Sequence, residues 1–254
     1  MESYMNRISN TGIVPVVKIL EKEDAYPLAK ALLNGGIDVI EVTYRSEHAT
    51  SAIQTISEQL PDMLVGAGTV LSVEQAKEAV EAGAKFIITP GFNTKVVQWC
   101  LDHDVEVYPG VSTASEVEMA LSMGLTQLKF FPAESSGGAK KLKDLSAPYA
   151  NVHFMPTGGI NTKNMHDYLS LPNVEAIGGS FMLPNDLVVA KDWDGIEALS
   201  KAAIKSLLDF QLIHVGINTN SPDESKQVTD TLCSLFHFTQ YTCLLYTSDA
   251  ADDS

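Results

Sequence analysis

From about Gly12 to Phe210 the chain repeats one pattern: a short apolar run, a turn, then apolar positions three and four apart. The runs predict strands at Ile13–Ile19, Ile37–Tyr44, Leu64–Val70, Phe86–Pro90, Val105–Val111, Gln127–Pro132, His153–Thr157 and Val174–Phe181. Each is followed by a helical stretch, and several helices carry boundary signals. Ser72-Val73-Glu74-Gln75 and Thr113-Ala114-Ser115-Glu116 have the form of capping boxes. Gly83 and Gly124 sit where helices should stop. The last helix, Ile196–Leu208, spaces Ile196, Leu199, Ala203 and Leu207 along one face. Eight strand–helix units is the count of an α/β (β/α)8 TIM barrel. A doubly wound open sheet uses the same alternation. The count favours the barrel, as do the polar residues gathered after nearly every strand.

After Phe210 the pattern changes. The expected division is a barrel over 1–212, a short βα unit over 213–240, and a tail over 241–254. In the second part, Ile213–Asn218 reads as a strand and Ser221–Phe238 as a helix. One βα unit cannot bury a core. The polar stretch beyond it has no strand or helix period and is expected to be poorly ordered or artefactual.

Composition narrows the class. The 254 residues are 45% hydrophobic and 19% charged, as in ordinary globular proteins. No apolar run is long enough to span a bilayer, and Met1–Asn10 has no signal-peptide core. Cys100, Cys233 and Cys243 are odd in number and far apart, which predicts reduced thiols and a cytoplasmic location. With 32 acidic against 17 basic residues, the net charge of −15 argues against nucleic acid and anionic membrane as partners. An anionic small molecule would need a local positive site.

In a barrel the chemistry lies at the C-terminal ends of the strands. Gln127–Pro132 puts Lys129 and Phe131 on one face and Leu128 and Phe130 on the other. Burial disfavours an ammonium, and a free amine attacks carbonyls to form a Schiff base. The alternative is a lysine that snorkels into water. Glu41, Thr43 and Arg45 share strand parity, a set suited to acid–base work beside anion binding, or simply to a structural ion pair. Gly158-Gly159 and Gly178-Gly179-Ser180 end the last two strands, where barrels often bind phosphate through backbone N–H groups; otherwise they are tight turns. None of the six histidines forms a His-x-x-x-His pair or joins a cysteine cluster, so no metal is expected.

Together, Ile40-Glu41-Val42-Thr43-Tyr44-Arg45, Val65-Gly66-Ala67-Gly68-Thr69-Val70, Leu128-Lys129-Phe130-Phe131-Pro132, Pro156-Thr157-Gly158-Gly159-Ile160 and Gly178-Gly179-Ser180 resemble one family. It is the 2-keto-3-deoxy-6-phosphogluconate (KDPG) and 4-hydroxy-2-oxoglutarate aldolases, and the likeness runs from about residue 5 to residue 210. The resemblance implies a class I aldolase that needs no metal or other cofactor, commonly a homotrimer. It would release pyruvate with glyceraldehyde 3-phosphate, or pyruvate with glyoxylate. By similarity Lys129 is the Schiff-base lysine and Glu41 the general acid/base. Arg45 and Thr69 would hold the carboxylate, Pro90 and Thr157 border the substrate, and Phe131 pack on the imine. Gly158, Gly159, Gly179 and Ser180 resemble the phosphate site. Residues 213–240 resemble the opening unit of a glyoxalase-like domain, with His214 at a ligand position. Two other readings of the barrel remain: a phosphosugar isomerase or synthase without imine chemistry, and a non-catalytic phosphosugar-binding protein.

Overall fold

The computed structural model describes residues 4–208 and, further on, residues 221, 223–224, 226–228 and 230–231. The chain divides into two units, Met1–Phe210 and Gln211–Ser254.

The first unit is an α/β fold built on parallel, curled sheet. Its strands are β1 (Ile13–Val17), β2 (Val39–Thr43), β3 (Leu64–Gly68), β4 (Phe86–Ile88), β5 (Glu106–Tyr108), β6 (Gly110–Val111), β7 (Gln127–Phe130), β8 (His153–Pro156) and β9 (Ile177–Gly179). They pair in the orders β5-β4-β3-β2-β1-β9 and β6-β7-β8. Single parallel bridges, Phe154 with Val174 and Thr157 with Gly178, run between β8 and the β9 segment. The predicted strand Val105–Val111 is divided at Pro109, which has no N–H to donate to a ladder. Its first part pairs with β4 and its second with β7. Several predicted strands also end early, β1 at Val17 and β3 at Gly68, because their last residues turn into the loops that carry polar groups.

Ten helices lie in this unit among the described residues: α1 (Tyr4–Thr11), α2 (Ala25–Asn34), α3 (Ala49–Gln59), α4 (Val73–Glu81), α5 (Thr94–Asp102), α6 (Ala114–Ser122), α7 (Gly138–Ser146), α8 (Met165–Leu169), α9 (Asn185–Ala190) and α10 (Trp193–Leu208). The capping signals hold to different degrees. Thr113 and Glu116 form the full reciprocal box at α6. At α4, Ser72 accepts from the Gln75 N–H, but the Gln75 side chain accepts from Leu71 N instead of closing the box. Gly83 and Gly124, just past α4 and α6, have φ of 108° and 80°, a conformation glycine adopts without a Cβ penalty.

Buried side chains fall into two groups. The larger lies between the sheet and the surrounding helices. The smaller gathers Val14, Val39, Leu64, Phe86, Tyr108 and Met155 within the curl, with Met5 and Ile8 of α1 added to it. These positions share strand parity with Glu41 and Lys129, two residues further along β2 and in β7. The inward face is therefore apolar at the α1 end and polar toward the strand C-termini. In the second unit the described residues between Asp223 and Thr231 are helical, with Ser221 Oγ accepting from Glu224 N at 3.2 Å. The predicted strand Ile213–Asn218, His214 and residues 241–254 lie outside the described residues.

Candidate active site

Lys129 on β7 and Glu41 on β2 come from strands that do not pair, yet their side chains meet. The Nζ lies 3.2 Å from Glu41 Oε1 and 3.4 Å from Oε2. Both residues are buried, at 4% and 0% exposed. Burial opposes each charge and the partner supports it, so neither is at ease without the other. The lysine therefore does not snorkel. Its Nζ also lies 5.3 Å from the Phe131 ring centroid, which bears out the shared face read from the strand.

Gly68 explains how the carboxylate fits. A Cβ at that position would lie 1.9 Å from Glu41 Oε1, so only glycine on β3 leaves the room. Gly178 does the same for Thr157, whose Oγ1 would be 2.2 Å from an added Cβ. Thr157 is itself buried, and its hydroxyl has no hydrogen-bond partner among the described residues.

The expected trio on β2 separates. Thr43 Oγ1 donates to Val17 O at 2.8 Å and accepts from Arg45 Nε at 3.2 Å. Arg45 is exposed and does not pair with Glu41, so the structural ion pair considered for this strand does not form. Instead it lines a cleft of about 200 Å³ with Lys18, Ser180 and Asn185. Thr69 has φ of 55°, an unusual conformation for a β-branched residue and a common sign of backbone held for function. Pro90 lines a larger cleft of about 650 Å³ with Thr89 and Phe92. Gly110 lies against the Pro90 carbonyl, which an added Cβ would approach to 2.2 Å.

Gly158 and Gly159 have φ of 105° and 83°. Their loop is fixed from below, where Ala133 N donates to Thr157 O at 2.8 Å and Glu134 N donates to Gly158 O at 3.1 Å. From the side, Asn164 Nδ2 donates to Gly159 O at 3.1 Å. The N–H groups of Gly159 and Ser180 donate to no group among the described residues, and Gly158 adjoins the bridge between Thr157 and Gly178. Gly179 is buried at the end of β9, and Ser180 beside it is exposed. Among the described residues no three His, Cys, Asp or Glu side chains gather as metal ligands. Sequence reasoning passed over Glu134 and Tyr168, which meet at the underside of the Gly158-Gly159 loop. Their separation of 34 positions gave no local signal.

A profile of the KDPG and KHG aldolases matches residues 4–199. The chain belongs to that family. It is 44% identical over 205 residues to the 2-dehydro-3-deoxy-phosphogluconate aldolase of Treponema pallidum, covering 81% of this chain and 98% of that one. It is likewise 44% identical over 199 residues to the KHG/KDPG aldolase of Escherichia coli K12, covering 78% and 93%. Among solved structures it is similar to the KDPG aldolase of Legionella pneumophila, with a TM-score of 0.77, 40% identity, and coverage of 80% and 99%. That crystal holds pyruvate as a covalent carbinolamine. This family member is accordingly a class I aldolase, a carbon–carbon lyase working through a Schiff base. No described helix is long and apolar enough to cross a membrane.

Proposed function

We propose that the chain cleaves 2-keto-3-deoxy-6-phosphogluconate to pyruvate and glyceraldehyde 3-phosphate, with Lys129 as nucleophile and Glu41 as general acid/base. The observation that carries this assignment is the buried contact between Lys129 Nζ and Glu41. An amine that must shed a proton before attack lies within reach of a carboxylate that can take one.

The steps follow from that geometry. The free amine of Lys129 adds to the C2 ketone, and loss of water gives a protonated imine. The C4 hydroxyl gives its proton to Glu41 while the C3–C4 electron pair moves toward the imine nitrogen. Glyceraldehyde 3-phosphate leaves, and an enamine remains. Protonation at C3 and hydrolysis of the imine then release pyruvate and restore the amine. Phe131, whose ring lies close to Nζ, covers the imine. Arg45 and Thr69 take the carboxylate, and Pro90 and Thr157 border the pyruvate half. The open N–H groups of Gly159 and Ser180, with Gly158 and Gly179 beside them, support a phosphate site set against the net negative charge of the chain. Because 4-hydroxy-2-oxoglutarate shares the pyruvate half and lacks the phosphate, it is a slower second substrate.

β5 and β6 are separated only by Pro109, and single bridges run from β8 to the β9 segment. These features support one closed (β/α)8 ring, with Lys129 and Glu41 facing each other across it. The family resemblance adds a homotrimer and a barrel over 1–212, and the odd, widely spaced cysteines suggest the cytoplasm. The test is turnover: incubation with the phosphorylated keto acid releases pyruvate and glyceraldehyde 3-phosphate in equal amounts. An isomerase or a binding protein on the same scaffold would release no pyruvate.

A further inference from the structure

Beneath the Gly158-Gly159 loop lies a contact that the reaction steps do not use. Tyr168 of α8 is 1% exposed, and its hydroxyl donates a short hydrogen bond to Glu134 Oε1. Glu134 follows β7 by four residues, and its stem runs directly under Gly159. A Cβ added at Gly159 would lie 2.6 Å from Glu134 Cγ. Gly138, opening α7, packs on the same pair: its Cβ would fall 3.5 Å from Glu134 Oε1 and 3.6 Å from the Tyr168 hydroxyl. Burial, and then the hydrogen bond and charge of Glu134, raise the Tyr168 hydroxyl above its ordinary range. It stays a donor at any ordinary working pH.

The arrangement has a chemical point. Tyr168 holds one oxygen of Glu134, and the Glu134 stem props the glycine whose N–H is open. We propose that Tyr168 and Glu134 form a latch that positions the Gly158-Gly159 loop, and so sets affinity for phosphorylated substrates without touching the imine chemistry. The inference rests on the phosphate assignment made above.

Tyr168→Phe tests it, since the ring that fills the core is kept and only the hydroxyl is lost. With the phosphorylated keto acid, KM rises about tenfold while kcat stays within about twofold, as loss of one charge-assisted hydrogen bond predicts. With 4-hydroxy-2-oxoglutarate, which has no phosphate, neither constant moves. Glu134→Ala, at an exposed position, gives the same split. The double variant loses no more than either single one, because the two residues act as a unit. An equal loss on both substrates would make Tyr168 a merely structural residue and overturn the latch. So would unchanged kinetics on both, or additive losses in the double variant. If the unsubstituted protein binds both substrates with the same KM and ignores inorganic phosphate as an inhibitor, the phosphate assignment itself has failed.

Discussion

At the residue scale the site depends on two charges that neutralise each other out of water. Glu41→Gln keeps the shape and removes the base, so turnover falls by roughly 10²–10⁴. Lys129→Ala abolishes turnover. The same variant leaves a carboxylate at 0% exposure without its partner. The loss in stability is on the order of 3 kcal/mol, measurable by urea denaturation. Gly68→Ala attacks the same pair from a third strand: the new methyl displaces the Glu41 carboxylate, and kcat falls about 100-fold. A Gly68→Ala enzyme of normal kcat would show that the carboxylate position is not critical. Strand parity made Lys129 and Glu41 legible as inward groups. Their direct contact was not, since it spans 88 positions and depends on how the sheet curls. The Glu134–Tyr168 contact was hidden for the same reason.

At the element scale local chemistry wrote most boundaries into the chain. Gly83 and Gly124 stop helices where the sequence says they should, and Thr113-Ala-Ser-Glu116 caps α6 as written. Gln75 departs from its expected role because the preceding Leu71 N–H competes for its side chain. Strand ends were the least legible feature. The residues that leave the ladder, such as Thr69 and Ser180, still look apolar-periodic while the site bends them away. The α6 cap yields a prediction with a sign. Burial opposes the Glu116 charge, but hydrogen bonds from Ser112 and Thr113 outweigh it and hold the carboxyl below its ordinary range. Its folded value is depressed, so its contribution is complete above the ordinary carboxylate range. That contribution is lost as pH falls through the depressed value. Thr113→Ala costs about 1 kcal/mol at neutral pH. The difference from the unsubstituted protein shrinks on acidification, as read from denaturation midpoints.

At the scale of the whole molecule the repeating strand–helix pattern and the family motifs point to the same site, and that agreement made the class of chemistry readable. The strand–helix count predicts an eightfold barrel, whereas the described strands form curled parallel sheet in two parts, divided at Pro109 within one predicted strand. The second unit holds none of the residues assigned to catalysis, and α10 already packs on the end of α2, where Gly35 makes room for Ser200. Ending the chain after Leu212 therefore preserves turnover and the melting temperature. A truncated protein that loses either would make the second unit a working part of the enzyme. The central claim is that Lys129 forms the covalent bond to substrate. Reduction with borohydride in the presence of pyruvate, followed by peptide mass spectrometry, tests it most directly. One reduced pyruvate adduct is expected, on Lys129, absent from Lys129→Ala. An adduct on a different lysine, or full turnover with no trapped adduct at all, would contradict it.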